Sequence, residues 1–504
     1  MDKVYDYIQK NKWIEWLLFA ICFWLVIVHL HLNRGLGDMI PGYHYWRKTD
    51  TYAQILNYYY NGFNLFDHGI YFNQMESGGK AVAEFPLFYY LNALQLKIFG
   101  NHLIVLKINW LIVMFAGQFA LYKIALHFVK NHMLALTVPL VLFLSPTYVI
   151  YTLEFLPDPI ALHLGFVGLY FILKYHQSNK RKLLISALIF VTISGMMKPF
   201  FLIPFIAYLI VLSVNTAIKK EGFKQLLPLL LPFVFVGIWF LYMNWYNNKH
   251  GSHYFLSKLK PIWTDKDPNS IWEKMQNKWL STYFHPTYLN ILAVLLVVGL
   301  AWGAWKNRIM AAFVLLAFLG ATTYFLLLFG MLKQHDYYIF PVLFVAPVVV
   351  LIFWKLFSDS VSNNIVQYTL GLITIAFIYT SMHFSWFERQ RRLKSKPINA
   401  THTFRPYQNL EPFLLRNGVQ KNDLVIAFSD KSPSYALMLM NRRGWSGFQT
   451  MSRREKVTDL MDLGAQYIVV NQSLPPKRDS VSLEGVTLNY IADTNNVFIY
   501  KLTK

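Results

Sequence analysis

Apolar runs of about 17 residues or more, separated by short polar turns, recur along the first three quarters of the chain. Each is long enough to cross a bilayer as a helix. The pattern predicts eleven spans, near 13–32, 102–128, 132–151, 159–176, 183–198, 199–218, 225–246, 286–305, 309–330, 337–357 and 365–383. Lys3, Lys10 and Lys12 precede the first of them. Its far end, Leu30-His31-Leu32-Asn33-Arg34, has no small-residue cleavage site, so the pattern predicts a retained anchor and not a cleaved leader.

Three stretches depart from this pattern. The 33–101 loop is polar and aromatic-rich, far longer than an ordinary connection of a few residues. Within it, 46–61 has helical spacing, with Tyr52, Ile55, Leu56 and Tyr59 on one stripe and Asp50, Gln54 and Asn57 on another face. Such a helix would lie on the membrane surface with Asp50 turned toward a polar cavity. Residues 84–100 start with Pro86 in a first helical turn, but the segment is short and carries Asn92, Gln95 and Lys97, which suits an interfacial helix. The second long loop is 247–285. From about 400 the texture becomes that of a small soluble α/β domain. Strands are expected at 423–428, 465–470 and 497–502, and a helix from Ser452, boxed by Glu455, to a stop at Gly464. The expected organisation is a membrane region, 1–383, a linker, 384–399, and the α/β domain, 400–504.

Composition agrees with a polytopic α-helical membrane protein. The 504 residues are 55% hydrophobic, 17% aromatic and only 14% charged, against about 25% charged in soluble domains. The net charge of +21 sits mostly in short turns and loops, which suits lipid head groups and phosphate-bearing ligands better than nucleic acid. No RNA-reading or zinc-finger spacing accompanies it. Cys22 lies inside the first span, so neither a disulfide nor a cysteine metal site is available.

Charge also orients the chain. Lys3/Lys10/Lys12, Lys123/Lys130, Lys174 to Lys182, Lys219 to Lys224, Lys306/Arg308 and Lys355 fall on one side, which the positive-inside rule makes cytoplasmic. The basic 247–285 loop and the Arg389–Lys396 cluster oppose this, and the five basic turns outweigh them. The outer side then receives both long loops, the Glu154–Asp158 turn, Lys198-Pro199, the Lys333–Tyr338 turn and the α/β domain.

The candidate chemistry gathers on that side. Asp50 follows Arg47 and Lys48, and its bland alternative is a capping or salt-bridged aspartate. Asp158 precedes Pro159, which also suits a plain helix N-cap, yet a carboxylate at the membrane lip is costly and usually partnered. Lys198, between two spans with almost no turn, either snorkels to lipid phosphate or serves a site. Lys333, His335 and Tyr338 mark another turn. Cations around carboxylates suit one task well: a lipid-linked phosphate leaving group needs positive charge, and an acceptor hydroxyl needs a base.

On these residues the chain resembles the GT-C glycosyltransferases of the aminoarabinose transferase and protein O-mannosyltransferase type, glycosyltransferase family 39. The likeness covers roughly residues 13–345. It rests on Asp50 in the first outer loop, Glu84-Phe85-Pro86-Leu87-Phe88-Tyr89-Tyr90, Phe99-Gly100, Asp158, Lys198-Pro199, and Tyr337-Tyr338-Ile339-Phe340-Pro341. The resemblance implies an inverting transfer of a hexose or pentose from a polyprenyl (undecaprenyl) phosphate donor to a lipid, glycan or protein hydroxyl. The site would face the periplasm at a bacterial inner membrane.

By analogy Asp50 activates the acceptor, Asp158 positions it, and Lys198 with Lys333 or His335 holds the donor phosphate. Relatives often read Glu-Lys-Pro where this chain has Glu84-Phe85-Pro86, so Lys80 or Lys48 is the candidate substitute for the missing lysine. Some relatives bind a divalent metal; Glu84 with His250, His253 or His285 is the candidate set, though isolated histidines in a wet loop are more often unliganded. The C-terminal domain of relatives covers the cavity or engages the acceptor. The competing readings are a transporter or flippase of a lipid-linked sugar and an envelope polysaccharide ligase. A transporter commonly shows two similar halves, which this sequence lacks.

Overall fold

The computed structural model describes the chain outside residues 1–10, 38–43, 75–76, 221, 256–258, 333–334, 395–403, 448–455, 474–482 and 484. Lys333 and the Ser452/Glu455 capping box therefore lie outside the described residues. All eleven expected spans are helical, and among the described residues eight helices are long and apolar enough by themselves to cross a membrane. The other three are the His132–Leu144 run with Pro146–Tyr151, Pro157–Ser178 and Arg181–Met197. Polar residues within them explain the difference: Pro157–Ser178 holds Asp158, His163 and Lys174, and Arg181–Met197 is only 17 residues long.

The chain divides into two compact units. One comprises Met1–Leu36, Lys107–Ile238 and Lys258–Arg391; the other comprises Gly37–Leu106, Trp239–Ser257 and Arg392–Lys504. The first outer loop, and the second as far as Ser257, belong to the unit that holds the α/β domain. Helix Asn364–Lys394 runs through residues 384–394 of the expected linker.

In the helical unit, local chemistry sets the helix ends. Asn131 accepts from the amides of Met133 and Leu134, and Asn179 closes Pro157–Ser178 in a left-handed conformation. Close packing is enforced by Gly168, where an added Cβ would fall 2.6 Å from Val191 Cγ2. Gly117 likewise leaves room for the His163 ring. A buried ion pair, Lys123 Nζ to Glu15 at 2.6 and 2.7 Å, ties the first span to the Leu103–Val129 helix.

In the second unit, the Asp50 helix runs Tyr45–Asn61 and ends at Gly62, φ 103°. Lys48 through Tyr58 are all buried, so this helix is enclosed on every face and does not lie half-exposed on a surface as its two-sided pattern predicts. Leu87–Phe99 follows as the expected short helix, with Pro86 at its start and Gly100 at its end.

Among the described residues the sheet has five strands: β1 Leu424–Ala427, β2 Gly444–Ser446, β3 Ala465–Asn471, β4 Thr487–Thr494 and β5 Val497–Thr503. Their order is β2-β1-β3-β5-β4, with β2, β1 and β3 parallel and the β3–β5 and β5–β4 pairs antiparallel. Continuous apolar runs in β1 and β3 suit strands covered on both faces, and Ile426, Trp445, Ile468, Val470 and Tyr500 form the core. Helix Val457–Asp462 closes before Gly464, φ 100°, as expected. The 71–73 segment of the first loop pairs with edge strand β2 through a parallel bridge between Phe72 and Gly444.

Candidate active site

Asp50 sits one turn into its helix and is 4% exposed. The Tyr254 hydroxyl donates to both of its oxygens, at 3.1 and 3.2 Å. Arg47, one turn earlier, forms an ion pair with Glu84, and its guanidinium lies 5.7 Å from the Phe255 ring centre. Removing Asp50 from water pushes its pKa up, to about 7; the Arg47 charge and the Tyr254 hydrogen bond pull it down, and the Glu84 charge adds to the rise. A buried carboxyl poised near neutrality, bonded by a phenol and within the field of a guanidinium, is suited to take a proton.

The surrounding loop is fixed by reciprocal bonds. Asn247 donates to the Val82 carbonyl at 2.8 Å and accepts from its amide at 3.0 Å, holding the segment that leads into Glu84. The His253 amide donates to Gln74 Oε1 at 2.6 Å, which sets the main chain just before Tyr254. Arg443 donates to Asn57 Oδ1 at 2.8 Å, two turns along the helix from Asp50. His68 is buried against Tyr246 and Trp239, and burial lowers its pKa to about 4, so it stays neutral.

A second set of groups lies within the helical unit. Asp158 is in the first turn of Pro157–Ser178, not at the cap position, which Leu156 occupies. Its Oδ1 accepts from Lys198 Nζ at 2.6 Å, and its Oδ2 has no hydrogen-bond donor among the described residues. Lys198 is where the Arg181–Met197 helix breaks before Pro199, which explains how its ammonium reaches that turn. It also lies 5.1 Å from the Tyr338 ring centre and 5.6 Å from that of Tyr337, within cation–π range. His335 packs on both tyrosines, and Tyr151 donates to Asp336 at 2.9 Å.

The sequence candidates therefore fall into two sets, Arg47, Asp50 and Glu84 in one unit and Asp158, Lys198, His335 and Tyr338 in the other. Lys48 is buried on the Asp50 helix. Lys80 does not join the carboxylate set; it forms an ion pair with Asp67. Of the candidate metal set, Glu84 is engaged by Arg47 and, at 3.5 Å, by Tyr89. His285 caps the Pro286–Lys306 helix, and no group of three His, Cys, Asp or Glu suited to a metal occurs among the described residues.

Tyr254, Phe72 and Arg443 were not legible as site residues. Tyr254 lies in a loop whose histidines drew the attention, and its link to Asp50 is purely tertiary.

A family model described as dolichyl-phosphate-mannose-protein mannosyltransferase matches residues 83–245, about a third of the chain. That stretch includes Glu84, Asp158 and Lys198 and leaves Asp50 outside. No curated protein matches the sequence. Among solved structures, ArnT from Cupriavidus metallidurans bound to undecaprenyl phosphate aligns over 97% of this chain and 98% of its own, with TM-score 0.63 and 10% identity. The same protein in the apo state aligns over 98% of both chains, with TM-score 0.56 and 10% identity. The chain thus has an ArnT-like fold of membrane-spanning helices with a small C-terminal sheet domain.

Proposed function

We propose that this protein is an inverting glycosyltransferase that moves a sugar from a polyprenyl phosphate to a hydroxyl acceptor. The observation that carries the proposal is Asp50, a buried carboxyl whose two oxygens accept from the Tyr254 hydroxyl, one helical turn from the Arg47–Glu84 ion pair. The family description and the ArnT-like fold support the donor class. In the reaction, Asp50 accepts the proton of the acceptor hydroxyl as that oxygen attacks the anomeric carbon. The bond from that carbon to the phosphate oxygen breaks, and the polyprenyl phosphate leaves with the electron pair and an added negative charge. Within the helical unit, Lys198, paired with Asp158 and facing the Tyr337 and Tyr338 rings, is the cation whose charge suits the donor phosphate. The free Oδ2 of Asp158 is available to an acceptor or sugar hydroxyl.

Placement follows the charge pattern: both outer loops and the sheet domain face the periplasm of a bacterial inner membrane. The long first outer loop and the C-terminal α/β domain favour an enzyme over a transporter. Mass spectrometry of envelope lipids and glycans from a deletion strain tests the proposal. Accumulation of one polyprenyl-phosphate sugar together with loss of that sugar from a single glycan or lipid class is expected. Unchanged lipid and glycan profiles would count against it.

A further inference from the structure

Edge strand β2 would leave a row of backbone donors and acceptors open to solvent. Here the first loop covers it. The Asn73 amide donates to the Gly444 carbonyl at 2.7 Å, the Gly444 amide donates to the Tyr71 carbonyl at 3.1 Å, and the Tyr71 hydroxyl donates to Asn441 at 2.8 Å. Only glycine serves at 444: its φ is 148°, and a Cβ there would sit 1.9 Å from the Val425 carbonyl oxygen. The neighbouring Arg443 reaches across to Asn57 and, at 3.4 Å, to the Gly78 carbonyl. Gly69 makes room for this contact, since a Cβ there would meet Asn57 Oδ1 at 2.5 Å and Arg443 Nη2 at 3.1 Å.

The residue fixed at the centre of this pairing is Phe72, which is fully buried. Its ring packs against Tyr254 with centroids 5.3 Å apart. Two residues on, Gln74 holds the His253 amide. Tyr254 is therefore steadied at its ring and at its main chain by one short segment, and that segment is itself pinned to the sheet. Among the described residues, the other charges that act on Asp50 are Arg47 on its own helix and Glu84 from the following segment.

We propose that the C-terminal domain positions the Asp50 carboxyl, acting through the Gly444–Phe72 bridge and the Phe72–Tyr254 ring contact. Phe72 and Arg443 are positioning residues on this reading, and the proposal deepens the assignment of Asp50 as base. Their effect is expected on the proton affinity of Asp50, because a Tyr254 hydroxyl out of register no longer stabilises the ionised form.

The test is infrared titration of the full-length protein in nanodiscs, following the protonated carboxyl band that Asp50→Asn removes. Tyr254→Phe is expected to raise the midpoint by about one pH unit, the scale of one hydrogen bond to a charged group. Phe72→Leu should raise it in the same direction, and adding Phe72→Leu to Tyr254→Phe should add nothing further. Arg443→Ala, which leaves the apolar cluster intact, should also raise it, with Arg443→Lys falling closer to wild type. Wild-type midpoints in folded Phe72→Leu and Arg443→Ala protein, or an additive double variant, would overturn the proposal. The readout needs no substrate, so a failure to detect sugar transfer would remove the enzymatic assignment and leave this coupling tested on its own.

Discussion

The Tyr254 hydroxyl lies 3.1 Å from Asp50 Oδ1 and 3.2 Å from Oδ2, although the two residues are 204 positions apart in the chain. The contact stabilises the ionised carboxyl, and burial opposes it; burial is the larger influence. Tyr254→Phe removes the stabilising partner. With the Asp50 pKa raised by about one unit, the ionised fraction at pH 7 falls about fivefold. Transfer rate should fall by that factor at pH 7 and recover near pH 9. A loss of equal size at both pH values would show that Tyr254 acts other than through ionisation.

Asp50 also links stability to pH. Its folded pKa of about 7 stands above the unfolded value of 3.8, so the folded protein holds this proton where the unfolded chain has lost it. The resulting penalty is absent below about pH 4, grows as pH rises, and is complete above about pH 7. Asp50→Asn cannot ionise. Its melting temperature should exceed that of wild type at pH 8 and match it near pH 4; equal melting at pH 8 would mean that Asp50 ionises in the fold without cost.

How much of this was legible in sequence follows from which interactions are local. Span positions, the short helix after Pro86, the Asp50 helix and the strands at 424–427, 465–471 and 497–503 all follow from periodicity and caps, which act over a few residues. β2 escaped because three residues, Gly444-Trp445-Ser446, carry no alternation to detect. β4 escaped because its residues are half-exposed and mixed in character. The Asp50 helix looked two-sided in sequence, yet its polar face is buried against tertiary partners such as Asp67 and Arg443. Asp50, Glu84 and Arg47 were recognisable as candidates; that Arg47 would occupy Glu84 was not, since ion-pair choice depends on a fold that spacing alone does not give.

The Arg47–Glu84 pair is mostly buried, at 15% and 6% side-chain exposure. Arg47→Met leaves two carboxylates, Asp50 and Glu84, without their shared cation. A loss of about 3 kcal/mol in unfolding free energy is expected, as for other broken buried pairs. Adding Glu84→Gln should recover part of it. Chemical denaturation of the single and double variants measures both, and a double variant less stable than Arg47→Met would contradict the pairing.

Lys198 bonds Asp158 at 2.6 Å and faces two tyrosine rings. Lys198→Gln should weaken binding of undecaprenyl phosphate at least about tenfold, on the scale of one charge-assisted contact. Asp158→Asn, which releases the lysine from its partner, should not weaken it. Equal affinity in wild type and Lys198→Gln would take Lys198 out of the donor site.

The most direct measurement is sugar transfer by Asp50→Asn in purified, folded protein with its identified lipid donor. Loss of a base lowers turnover by about 10²–10⁴-fold, so the variant should retain less than about a hundredth of wild-type activity while its melting curve stays cooperative. A folded Asp50→Asn protein keeping more than about a tenth of wild-type turnover would contradict base catalysis by Asp50.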